Sequence, residues 1–185
     1  MNLQNVRWPV VVAAMAATLV ALFAAGFVLK SRMWEEPLKA LYTGSPAVES
    51  YNVDRNDDRY VITIRLKATP DLAAAYQALD EGTGRILKST PYTLKVEDRR
   101  TPALAEAYRP VNLYVQEALT TGRFAAMGTQ VMDEANKAGM TARVDVDSNR
   151  VYVQLQDRSG AYLYSVVDRP QPAGAVRYPE GGIGL

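Results

Sequence analysis

From Trp8 to Leu29 the chain runs for 22 residues without a charge: WPVVVAAMAATLVALFAAGFVL. As a helix this run would rise ~33 Å, about the thickness of a bilayer core. Arg7 and Trp8 stand at one end, and Lys30, Arg32 and Trp34 at the other. Cationic and indole side chains of that kind suit headgroup depth. The expectation is a transmembrane anchor over residues 1–32, with Arg7, Trp8, Lys30, Arg32 and Trp34 at the membrane interface and the lipid bilayer as a partner. A cleaved signal peptide fits less well. The run exceeds the ~7–15 residues of a signal core, and its small-residue site, Ala24 to Gly26, lies inside the apolar stretch. Lys30, Arg32 and Lys39 outnumber Arg7, so the charge rule does not favour export. A first helix followed directly by one domain is usually an export anchor, which places the domain outside the cytoplasm.

Beyond the run, residues 33–47 read as a connector, punctuated by Pro37 and the TGSP cluster. Residues 48–169 read as one folded domain. Residues 170–185 are rich in proline and glycine and gain little by ordering, so a flexible tail is expected there. Net charge is +1 in 185 residues, which gives no global field to draw nucleic acid. The chain contains no histidine and no cysteine. Imidazole bases, thiolate nucleophiles, disulfides and the usual zinc ligands are thereby excluded.

Period-two segments recur in the domain. RYVITIRLK (Arg59 to Lys67), YTLKVED (Tyr92 to Asp98) and three segments between Ala142 and Arg169 read as half-buried strands. Helical periods lie between them. Thr69 and Pro70 read as a helix start, with a stripe of Leu72, Ala75, Tyr76 and Leu79 ending at Gly82. Thr101 and Pro102 open another, whose stripe runs Leu104, Tyr108, Val111, Val115, Leu119, with a kink expected at Pro110. A third stripe, Phe124, Met127, Val131, Ala135, ends at Gly139. The order predicts an α+β fold: a mostly antiparallel sheet with helices on one face. Two hairpins share a V/I-x-V/I-x-L second strand, a weak internal repeat.

Both hairpins begin with alternating oxygen ligands: Asp54, Asn56, Asp58, then Asp145, Asp147, Asn149. A calcium loop also needs glycine at its sixth position and glutamate at its twelfth. Here those positions hold Arg59 and Arg65, then Arg150 and Gln156. Turn chemistry explains the pattern better, and no metal or other cofactor is expected. The Gly-x-Gly of EGTGR (Glu81 to Arg85) follows a helix, so it reads as a cap and turn, not a phosphate loop. Lys88 with Ser89, and acidic pairs such as Asp57 with Asp58, lack any supporting catalytic signature.

Tyrosine is frequent, at eleven residues. Tyr152, Tyr162 and Tyr164 fall on the last strands, where they suit either a core rim or a partner face. The functional expectation is an anchored, non-catalytic interaction domain, with a protein partner or self-association and no nucleic acid, as in a subunit of a cell-envelope assembly. The alternatives are an anchored domain that binds a ligand or wall polymer, and a hydrolase using carboxylates or a lysine.

Overall fold

The computed structural model describes residues 12, 14–23, 34–56 and 59–170. Within the apolar run, residues 14–23 are helical, and Met15, Leu19, Val20, Leu22 and Phe23 are largely exposed. No helix among the described residues is long and apolar enough to cross a membrane. The single-pass, signal-anchor expectation is corrected by that finding: apolar composition is a property of the segment, whereas a span needs a helix of ~20 residues, and no described helix supplies one. Arg7, Trp8, Lys30 and Arg32 lie outside the described residues. Trp34 is described and belongs to the domain. It packs edge-on against Tyr60, with ring centroids 5.8 Å apart.

The chain continues as α1 (Glu36–Gly44), β1 (Val48–Asn56), β2 (Arg59–Leu66), α2 (Leu72–Leu87), β3 (Tyr92–Glu97), α3 (Pro102–Thr121), α4 (Phe124–Lys137), β4 (Thr141–Val146), β5 (Arg150–Gln156) and β6 (Tyr162–Asp168). The α+β character is as expected, but the single sheet is not. Among the described residues there are two three-stranded sheets, β1-β2-β3 and β4-β5-β6. β1 and β2 pair as an antiparallel hairpin. β3 lies parallel to β2, because the α2 crossover returns the chain to the end of the sheet where β2 began. The second sheet is antiparallel throughout. The shared V/I-x-V/I-x-L pattern marks the central strand of each: Ile62, Ile64 and Leu66 in β2, and Val151, Val153 and Leu155 in β5, are all fully buried.

The segment expected as a connector contains α1. Pro37 sits in the first turn, where a missing N–H costs nothing. Leu38 and Tyr42 then enter the core. α2 begins at Asp71, not Thr69: the Asp71 carboxylate accepts from the Ala74 N–H at 2.9 Å and caps the helix. It does not stop at Gly82 but runs on to Leu87. Gly82 is a packing glycine. A Cβ there would lie 2.6 Å from Leu41 Cδ1, so α1 and α2 touch through the missing side chain. Beside it Tyr42 and Thr83 share a buried hydrogen bond, and Thr83 also donates to the Leu79 carbonyl at 2.7 Å.

α3 is capped by Thr101, whose hydroxyl accepts from the Leu104 N–H, and runs unbroken through Pro110. Gly122, with φ 73°, ends it in the left-handed region that glycine enters without strain. α3 and α4 bury Leu104, Val111, Val115, Met127, Val131 and Ala135 against Val151, Val153, Leu155 and Leu163. A second core joins α1, α2 and the face of the first sheet to Tyr152, Tyr162 and Tyr164. The second sheet is therefore covered on both faces. Adjacent residues along β5 and β6 are buried together for this reason, and tyrosines fill one side.

Candidate functional site: the cleft between the sheets

β3 and β6 face each other as the inner edges of the two sheets. They meet at one isolated antiparallel bridge, Arg99 to Tyr162. From there they diverge. A cavity of about 350 Å³ opens between Leu94–Val96 on one side and Tyr164–Asp168 on the other, with Tyr76 of α2 as its floor. It continues into a polar hollow of about 450 Å³ that shares Tyr76, Leu94 and Asp168 and is rimmed by Arg59, Lys88 and Ser89.

The closed end is held by backbone-directed tyrosines. The Tyr162 hydroxyl donates to the Leu66 carbonyl at 2.5 Å, and the Tyr164 hydroxyl to the Lys67 carbonyl at 3.1 Å while accepting from the Thr69 N–H at 2.8 Å. Their rings lie 4.7 Å apart. Tyr152, Tyr162 and Tyr164 are 1%, 3% and 2% exposed, so of the two roles weighed for them they take the interior one. A tyrosine supplies apolar area and one strong hydrogen-bonding group. Here both are used to join one sheet to the other. Burial pushes both the Tyr162 and Tyr164 phenols above their ordinary range.

At the open end stands Arg150. Its guanidinium contacts Asp80 of α2 at 2.8 Å and Asp168 of β6 at 3.0 Å, and it lies 4.9 Å from the Tyr76 ring centroid. The Arg150 and Asp80 side chains are 13% and 19% exposed, so this pair is screened far less than a surface one. Burial works against the guanidinium charge, but Tyr76, Asp80 and Tyr152 outweigh it and hold the group charged. Tyr92 donates to the other Asp80 oxygen at 2.9 Å. Burial, then Asp80, pushes the Tyr92 phenol far up, and burial alone does most of the same to Tyr76. Asp147 completes the seam. It caps its own turn by accepting from the Asn149 and Arg150 N–H groups, and it accepts from Gln77 and Tyr152 at 2.8 and 2.7 Å. Burial raises its pKa, but these hydrogen bonds win and hold it below the usual carboxylate value.

The described members of the oxygen-rich stretches serve strand and turn. Asp54 accepts from Asn52 on β1, Asp145 pairs with Arg143 at 2.8 Å, and Asp147 belongs to the seam. Asp58 lies outside the described residues. Among the described residues no cluster of acidic side chains is placed to hold a metal ion. Arg150, Asp80 and Asp168 escaped the sequence reading because they are 70 and 18 positions apart and belong to three elements. Only the pairing of β5 with α2 and β6 brings them together. A separate apolar groove of about 500 Å³ lies under Trp34 between α1 and the β1–β2 hairpin.

The chain matches no protein-family model and no curated protein in sequence.

Proposed function

We propose that the chain is a non-catalytic protein-interaction domain whose binding site is the cleft between β3 and β6. One observation carries this reading. Two strand edges face one another, bridged among the described residues at Arg99–Tyr162, with cavity space between Leu94–Val96 and Tyr164–Asp168. Strand edges with unused backbone groups are a ready-made template for attaching another chain. The ionisable side chains support the same reading. Acid–base catalysis favours a group that exchanges its proton near the working pH. In this cleft Arg150 is committed to Asp80 and Asp168, and the phenols of Tyr76 and Tyr92 are pushed away from neutrality. These groups keep a shape.

The test is site-specific photocrosslinking of the full-length chain in its native cells. A photoreactive residue replaces Ser89 at the cleft mouth, and a control replaces Lys137 on the exposed face of α4. The expected result is a discrete adduct from position 89 and none from position 137. No adduct at 89, or equal adducts at both, would overturn the proposal.

A further inference from the structure

Resting on that reading of the cleft, we infer that its occupant is an extended, acidic peptide segment of another chain, which adds as a strand along the free edge of β6. The register identifies the edge. In β6 the Tyr164 N–H turns away from β5 and reaches the Asp98 carboxylate at 2.9 Å. The Arg169 N–H turns toward β5's side and meets the Asn149 carbonyl at 2.7 Å. Backbone groups alternate along an antiparallel strand. Leu163, Ser165 and Val167 therefore bond to β5, and Val166 and Asp168 direct theirs into the cleft, where Tyr164's is already taken by Asp98. Across from them the Leu94 carbonyl faces the same space and is met by the Tyr76 hydroxyl at 3.4 Å. The β6 edge is thus capped by one side chain near the closed end, whereas on β3 the capped carbonyl of Leu94 lies toward the open end, and the Val166 and Asp168 N–H groups are left as bare strand. Another extended backbone is what satisfies such a row of alternating donors and acceptors.

The charge lining the cleft selects the peptide. Arg59, Lys88, Lys95 and Arg150 stand against Asp80 and Asp168, and Arg150 already engages both carboxylates. Arg59, Lys88 and Lys95 are exposed and form no ion pair with a described residue. A basic rim of this kind favours carboxylates and speeds their approach. The floor is Tyr76 and Leu94, both nearly buried. Because side chains alternate along a strand, the fitting sequence alternates acidic with apolar residues. About four to six residues at ~3.3 Å each would span the open edge.

The experiment titrates the ¹⁵N-labelled full-length chain with a blocked hexapeptide alternating valine and glutamate, and with its valine–lysine counterpart. The expected result is shift perturbation of the Val166, Asp168, Leu94 and Val96 amides by the glutamate peptide, with at least tenfold weaker binding of the lysine peptide. Val166→Pro removes one outward N–H and leaves the β5 ladder intact, because proline is tolerated where the N–H faces away from the sheet. It should weaken binding at least tenfold. Lys88→Glu with Lys95→Glu, which leaves the backbone alone, should do the same. No perturbation at millimolar peptide, equal response to both peptides, or full binding by both variants would overturn the inference. So would the same shifts on concentrating the chain alone, which would assign the edge to a second copy. An adduct at position 89 without peptide binding would separate the two proposals: the cleft would still hold a protein, but not by strand addition.

Discussion

Arg150 is the residue on which the open end of the cleft depends. It contacts α2 and β6 from β5, and it is held at 13% exposure. Removing one partner of a largely buried pair leaves the other charge stranded, at a cost of about 3–5 kcal/mol. Arg150→Met keeps the apolar stem over Tyr76 but strands Asp80, so denaturant unfolding should show a loss near the lower end of that range. Adding Asp80→Asn removes the stranded charge, and the double variant should be more stable than Arg150→Met alone. A strictly additive cycle would mean that the pair is not coupled. Tyr42 makes a second prediction at this scale. Burial, eased by the Thr83 hydrogen bond, pushes its phenol from 10.0 up to about 12. A folded pKa above the unfolded one gives stability that is complete below pH 10.0 and is lost as pH rises through about 12. Thermal stability should stay level up to about pH 10 and fall above it. Tyr42→Phe should cost about 0.5–1.5 kcal/mol at neutral pH through the lost hydrogen bond, and its alkaline decline should be shallower. An unchanged alkaline limb would contradict the assignment.

At the scale of elements, the packing of α1 on α2 rests on Gly82. A valine there would drive Cβ to 2.6 Å from Leu41 Cδ1 and add a branched side chain to a helix interior. Overpacking of this kind costs about 1–3 kcal/mol, and equilibrium unfolding should show it, whereas Gly44→Val, with open space around it, should change stability far less. Gly82 also shows where sequence reasoning reaches its limit. A glycine after a helical stripe reads as a C-cap, and nothing local reveals a second helix laid against it. The same blindness hid α1 itself, because nine residues with Pro37 near the start look like a linker until Leu38 and Tyr42 find a core. Thr101, Pro102 and the stripes of α3 and α4 were legible, since a cap and a 3.6-residue period are properties of the segment alone. The division into two sheets and the parallel placement of β3 were not, because strand pairing is a relation between segments.

In the whole molecule, the tyrosine-bearing strands and the seam between the sheets form one design. Sequence placed Tyr152, Tyr162 and Tyr164 on strands and weighed a core rim against an exposed face. The second sheet, buried on both sides, decides for the interior. The proposed site lies instead at the edges those tyrosines hold together, and no motif announces an edge. The most direct test of the cleft is hydrogen exchange along β6 in the free full-length chain. Slow exchange at Leu163, Ser165 and Val167, protection of Tyr164 by Asp98, and fast exchange at Val166 and Asp168 are the expected pattern. Uniform protection from Leu163 to Asp168 would mean that β6 is already paired on both sides, and the cleft would not exist as an open binding site.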